Sequence, residues 1–297
     1  AGARADGWSA GAPMPTARSE LTAATTADRV YAIGGIGRFG TTAAVEVFDG
    51  AAGTWVAAPD LPVGVHHAAA AALNGWIYVI GGYDGLGFRL DVRGAWALEP
   101  GATAWRAVAA LPAPRAAHAV VALDGLLYVV GGAGPRGAEL WSYDPASDTW
   151  ATGHAPMPTP REHLAAAAID GKLYAVGGRW SGDVNTGALE RYDPATDTWE
   201  TLAPMPTPRG GLAAGVLDGR LHVIGGEDLK TGATFEAHEV YDPATDSWSR
   251  APGLSVARHG LAAAVVDDRL YVVGGGEAAG WKTFFTLSDA VNVFPAP

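Results

Sequence analysis

Apolar residues along this 297-residue chain fall in short runs, each closed by a pair of glycines. The pairs begin at Gly34, Gly81, Gly131, Gly177, Gly225 and Gly274, spaced 47, 50, 46, 48 and 49 residues apart. The runs before them, 30–33, 77–80, 127–130, 173–176, 221–224 and 270–273, are rich in Val, Ile and Leu, and five carry Tyr in second place. Such short β-branched runs predict buried strands. A Trp trails five of the pairs: Trp55, Trp105, Trp150, Trp199 and Trp248. Seven residues before each Trp stands Phe48, Leu98, Tyr143, Tyr192 or Tyr241, with turn chemistry such as Asp193-Pro194 between. Asp170-Gly171 and Asp218-Gly219 mark a second kind of hairpin, upstream of the glycines. Each unit therefore predicts four antiparallel strands. In the fourth unit they span about 162–169, a run ending at Gly177-Gly178, 189–192, and a last strand from Trp199.

The sixth unit has no Trp after its glycines and ends on Val291-Asn292-Val293-Phe294, a third-strand pattern. The missing piece is at the other end. Trp8 runs into Pro13-Met14-Pro15, like Pro156-Met157-Pro158 and Pro204-Met205-Pro206. The last unit is expected to take three strands from the C-terminus and one from residues 8–12, which removes an open sheet edge.

A run closed by Gly-Gly, then Tyr, then Trp, at a period near 50 residues over the whole chain, resembles the kelch repeat. The resemblance implies an all-β, six-bladed β-propeller of four-stranded blades in a single domain. The blades are expected at about 16–60, 63–110, 113–155, 159–203, 207–251 and 255–297 plus 1–12. Blade two departs most, with Leu98 for Tyr and Val65 where other blades carry Arg. Bacterial sialic acid mutarotases are similar at the level of fold, but their active residues do not map onto positions here.

Composition narrows the partners. A net charge of −11, with no Lys/Arg block, argues against nucleic acid and anionic membranes. No apolar run approaches a membrane span, so membrane insertion is not expected. No signal peptide is expected in the small, polar residues 1–7, although a mature secreted chain would read the same. Either a cytoplasmic or an exported location fits. With no Cys, thiolate metal sites, a Cys nucleophile and the Tyr–Cys copper centre of kelch-type fungal oxidases are excluded. The Glu-x-x-x-Asp-x-x-x-His iron motif of plant specifier proteins is absent. There is no Gly-x-Ser-x-Gly and no phosphate-binding Walker loop.

In a propeller the start of each first strand and the loop after each glycine pair converge on one channel mouth. The strand starts are polar: Arg18-Ser19-Glu20, Val65-His66-His67, Arg115-Ala116-Ala117-His118, Arg161-Glu162-His163, Arg209-Gly210-Gly211 and Arg258-His259-Gly260. The loops add Arg38, Phe39, Tyr83, Asp84, Phe88, Arg89, Arg136, Arg179, Trp180, Glu227, Asp228, Glu277, Trp281 and Phe285. Repetition of Arg18, Arg115, Arg161, Arg209 and Arg258 favours a structural pin, while guanidinium chemistry equally suits an anion clamp. His66, Arg179, Trp180, Glu227, His259 and Trp281 are further ligand-contact candidates. His118 stands where other blades mostly have Leu and reads as a packing residue.

Glu20, His67 and His163 share one strand position, and the other blades have small residues there. With Glu162 they are the candidates for acid–base catalysis. Glu20, His67 and His163 are also the donors for a divalent metal, should a cofactor be bound at all. Blades one and four lie across the ring, so the expectation is a gap too wide for direct ligation. The first functional reading is a binding module holding a peptide, protein segment or glycan at the mouth. The alternatives are a small-molecule enzyme of mutarotase, epimerase or lyase type, and a purely structural propeller.

Overall fold

The computed structural model describes residues 7–85, 92–134, 136–180 and 184–295; Phe88 and Arg89 lie outside them. Six four-stranded antiparallel sheets succeed one another along the chain. Blade four shows the rule, with strands Ala165–Ile169, Lys172–Val176, Leu189–Asp193 and Thr198–Leu202 in sequence order. Its first strand starts later than the pattern predicts, because Glu162 meets Arg179 in an isolated bridge before the ladder begins. The equivalent bridges in the other blades join Ser19 to Ile36, His66 to Tyr83, Ala116 to Ala133, Gly210 to Glu227 and His259 to Gly276. Strand starts and post-glycine loops therefore do share one mouth.

Blade six closes the ring. Its sheet runs Ala262–Val266, Arg269–Val273, Val291–Pro295 and then Ser9–Ala10 from the N-terminal end. Ser9 pairs with Val293 and Ala10 with Asn292. Each blade's Trp donates its indole N–H to a carbonyl of the preceding blade. Trp55 reaches Ala12, Trp105 Pro59, Trp150 Ala109, Trp199 Ala155 and Trp248 Ala203, at 2.8–2.9 Å. Trp8 reaches Pro252 at 2.7 Å and completes the circle.

The glycine pairs form a second ring of contacts. The second glycine of each pair donates its N–H to the residue that opens the next blade: Gly35 to Val65, Gly82 to Arg115, Gly132 to Arg161, Gly178 to Arg209, Gly226 to Arg258 and Gly275 to Arg18. The first glycine lies in the left-handed region, and a Cβ there would sit 2.4–3.1 Å from that same carbonyl oxygen. Only glycine allows both the conformation and the approach.

Trp8 also packs on Phe294 and on His238. His222 and His238 form a buried pair, Nδ1 to Nε2 at 2.9 Å, and His238 Nδ1 donates to Pro252 O at 3.2 Å. Burial pushes the two pKa values down, to about 4 for His222 and about 3 for His238.

Deletion of residues 1–12 should therefore cost about 3–5 kcal/mol, the scale of losing a packed Trp, and lower the melting temperature by roughly 10 °C. An unchanged melting curve would show that the ring closes without this strand. The His pair gives a second expectation. Both rings stay neutral in the fold but charge in the unfolded chain below pH 6.5. Their contribution is complete above pH 6.5 and lost as pH falls toward 4 and 3, about 3 kcal/mol from His222 alone. Denaturant midpoints between pH 7 and 4 should fall less steeply in His222→Leu/His238→Leu. Equal slopes would place the acid sensitivity elsewhere.

Candidate functional site

At the channel mouth the chain makes a third, innermost ring. Glu20, His67, Ala117, His163, Gly211 and Gly260 all have φ between 51° and 62°. Each donates its N–H to the carbonyl at the same position of the preceding blade, at 2.7–3.0 Å, and Glu20 closes the circle on Gly260. Left-handed backbone at four non-glycine residues is strained by roughly 1 kcal/mol or more each, and the hydrogen-bonded ring holds it. Below lies a channel cavity of about 160 Å³ walled by small residues, among them Ala69, Ala119, Ala165, Ala213 and Ala262.

The ring brings Glu20, His67 and His163 together. One ligating atom from each lies within 4.8 Å of the others, and the His67 and His163 ring centroids are 4.9 Å apart. This corrects the expectation that the channel would hold them apart. The shared left-handed conformation seats all three on the innermost ring, where glutamate and imidazole side chains span it. Glu20 Oε2 is 3.2 Å from His67 Nε2, and its Oε1 is 3.4 Å from His259 Nδ1. His67 Nδ1 meets His66 Nδ1 at 2.5 Å.

A second group flanks the first. Arg179 sits between two carboxylates, its Nε 3.2 Å from Glu162 Oε1 and its Nη1 2.7 Å from Glu227 Oε1. Glu227 Oε2 lies 3.2 Å from His259 Nδ1 and accepts the N–H of Gly280 at 2.7 Å. Glu162 Oε1 also lies 3.2 Å from His163 Nδ1.

Burial pushes the His66 pKa down and, with help from neighbouring positive charge, the His67 pKa well below the usual imidazole value. Burial and the Glu162 charge raise Tyr83 to about 12. Burial opposes ionisation of Glu162, but His163 and Arg179 outweigh it and hold the carboxyl at about 2. Glu227 is lowered likewise, by His259 and Arg179 against desolvation. Trp180 and Trp281 follow Arg179 and Gly280 in the chain and are 47% and 68% exposed.

The repeated arginines lie elsewhere. Arg18, Arg115, Arg161, Arg209 and Arg258 are 0–3% exposed, inside the blades. Arg161 bonds Gly177, Ala175 and Thr159 carbonyls and pairs with Glu190 at 2.5 Å. Arg209 does the same with Gly225, Val223, Thr207 and Glu239, and Arg18 with Gly34, Ala44, Ala32 and Glu46. Arg258 reaches Gly274, Ala290 and Asn292. Arg115 takes carbonyls of Glu139 and Arg136 and stacks 3.5 Å over the Trp141 ring. Their donors face backbone rather than ligand. Sequence reasoning missed Glu46, Glu190 and Glu239, which stand 28–30 residues after Arg18, Arg161 and Arg209. That spacing was a usable signal. His118 is buried, with a pKa pushed down by burial to about 3, on the Leu position against the glycine pairs.

Comparison with known proteins adds the family. The KLHDC2/KLHL20/DRC7 kelch-repeats domain matches residues 106–275, more than half of the sequence. The chain belongs to the kelch-repeat family. Among solved structures, "Structure of YjhT" covers 96% of this kelch chain and 99% of its own, at 19% identity and a TM-score of 0.79. At that identity the likeness is one of fold. No curated protein matches. Kelch propellers serve generally as interaction modules. Among the described residues, no helix is long and apolar enough to cross a membrane.

Replacing Arg161 or Arg209 by Ala strands Glu190 or Glu239 as a buried charge, with an expected loss of about 3–5 kcal/mol. Urea denaturation reads it. A variant as stable as the parent would free these arginines for a role in binding.

Proposed function

We propose that this kelch propeller is a binding module whose channel mouth takes a neutral polyhydroxy ligand, the end of a glycan being the class that fits. The observation that carries this reading is the fixed polarity of the mouth. Glu162 is an anionic acceptor, partly exposed, and Tyr83 stays a neutral phenol. Arg179 is already shared between two carboxylates, and the five blade arginines are buried, so these six guanidinium groups are engaged within the protein rather than offered to an anionic ligand. Hydroxyl groups donate well to carboxylates, and the exposed Trp180 and Trp281 offer flat apolar walls for a sugar face.

A second reading rests on the contact from His66 through His67 to Glu20, a chain of hydrogen-bonding groups that can move a proton. It makes the mouth the centre of a small-molecule enzyme of mutarotase, epimerase or lyase type, with Glu20, His67, Glu162 and His163 in the acid–base roles.

Screening tag-free protein on neutral glycans, acidic glycans and peptides separates these readings. Neutral glycans should bind, and Trp281→Ala or Glu162→Gln should weaken binding at least tenfold by calorimetry, the scale for losing one anchor. Binding of peptides alone, or of neutral glycans unaffected by both changes, overturns the glycan reading. Accelerated anomer exchange in proton NMR, lost in Glu20→Gln, would establish the enzyme instead.

A further inference from the structure

Trp180 and Trp281 sit on loops of blades four and six, and both loops are too short to hold themselves. Trp180 belongs to the two-residue strand Arg179–Trp180, paired with Val184–Asn185. Trp281 is the second residue of the six-residue 3-10 turn Gly280–Phe285, whose N-cap residue, Ala279, makes no side-chain bond. Two-residue ladders and lone 3-10 turns are marginal structures that need outside contacts. Both find them in one residue of the blade between, Glu227 of blade five.

Glu227 is 1% exposed and opens the short strand Glu227–Asp228. Arg179 Nη1 donates to its Oε1 at 2.7 Å, and the N–H of Gly280 donates to its Oε2 at 2.7 Å. Asn185 Nδ2 donates to its backbone oxygen at 2.9 Å. One residue thus bonds both ends of the blade-four hairpin and the first residue of the blade-six turn. Hydrogen bonds to a carboxylate are about twice as strong as neutral ones, so each oxygen anchors its own loop. The bond to Gly280 also supplies the cap that Ala279 lacks. Thr234 of blade five adds a second tie, its Oγ1 donating to Glu277 O at 2.8 Å.

The chain makes room for this clamp. Gly210 lies opposite Glu227 in its bridge, and a Cβ there would crowd Arg179 Nη1 at 3.3 Å. Gly276 underlies the blade-six turn, and a Cβ there would run into the buried Thr283. At the position of Glu227, blades one, three and six carry Ile36, Ala133 and Gly276, which have no side-chain acceptor.

We propose that Glu227 is a positioning residue that fixes the Trp180 and Trp281 loops relative to each other. Buried as it is, it meets no ligand, in contrast to the contact role its place in the sequence suggests. Its effect on a ligand passes through the two indoles. That last step rests on the glycan reading, whereas the seating of the loops does not.

The test uses the full chain with its eleven tryptophans replaced by 5-fluorotryptophan. Fluorine NMR resonances of Trp180, Trp281, Trp55 and Trp105 are assigned from the four single Trp→Phe variants. In Glu227→Gln the amide has one oxygen and two N–H, so it accepts from one loop and turns a donor on the other. The Trp180 and Trp281 resonances should both move, while Trp55 and Trp105, in blades one and two, stay. Glu200→Gln, an exposed carboxylate paired with Arg191, should move neither mouth resonance. Where Glu227→Gln does not fold by circular dichroism, Glu227→Asp decides in its place. It keeps the charge and both oxygens, draws them back by one methylene, and must move the same two resonances. Affinity for a neutral glycan should fall at least tenfold in the same variant. A merely structural role would lower the melting temperature and leave both indoles in place in the folded protein, which overturns the proposal. Movement of only one of the two overturns it as well. If the parent binds no glycan, the ligand reading falls and the fluorine spectra still decide the seating of the loops.

Discussion

One contact sets the rest of this propeller: the close approach of each glycine pair to the opening residue of the next blade. The carbonyl of Arg18, Val65, Arg115, Arg161, Arg209 or Arg258 is held by an N–H on one side and crowded by a bare Cα on the other. That fixes the blade-to-blade spacing at the point where the chain enters the channel. The two residues that follow, such as Ser19 and Glu20, then have little freedom. The first bridges back to its own blade, and the second turns left-handed and donates to the blade before. Any side chain on the glycines would push neighbouring blades apart and dissolve the innermost ring with them.

The backbone ring is nearly symmetric, and its side chains are not. Blade three offers Ala116, Ala117 and Ala133 at the positions where blades one, two and four carry Glu20, His66, His67, Glu162, His163 and Arg179. Polar chemistry is therefore concentrated on part of the mouth. Because the ring is made by main-chain groups, its side chains can vary without loss of the fold. This is how a repeated scaffold carries a single, asymmetric site.

Much of this was legible in the sequence, for physical reasons. Glycine pairs and Trp are demanded by geometry that repeats, so they recur at nearly fixed spacing, and Trp8 with Val291–Pro295 disclosed the closure. The shared position of Glu20, His67 and His163 was equally visible. Their convergence was not, because it depends on a left-handed backbone that Glu and His rarely adopt and that nothing local in the chain encodes. The arginines were ambiguous for a different reason. A guanidinium looks the same in sequence whether it faces a ligand or three backbone carbonyls and a buried carboxylate.

Blade two shows why those arginines are replaceable parts of the scaffold. Val65 stands at the Arg position, and the strand position that holds Glu46, Glu190 or Glu239 elsewhere holds Trp96. Both are buried, in one apolar cluster. The ion pair has been exchanged for an apolar pair, one large ring filling the space of two polar side chains. Blade three is intermediate, with Arg115 stacked on Trp141. Desolvating two charges offsets most of what their attraction gains, so such an exchange is nearly neutral when both partners change together. Changing one alone is not, since it leaves a charge buried with no counterpart. Blade six differs again, with Arg258 on the amide of Asn292, so the six blades record four solutions to one packing problem, and the buried arginines belong to that problem.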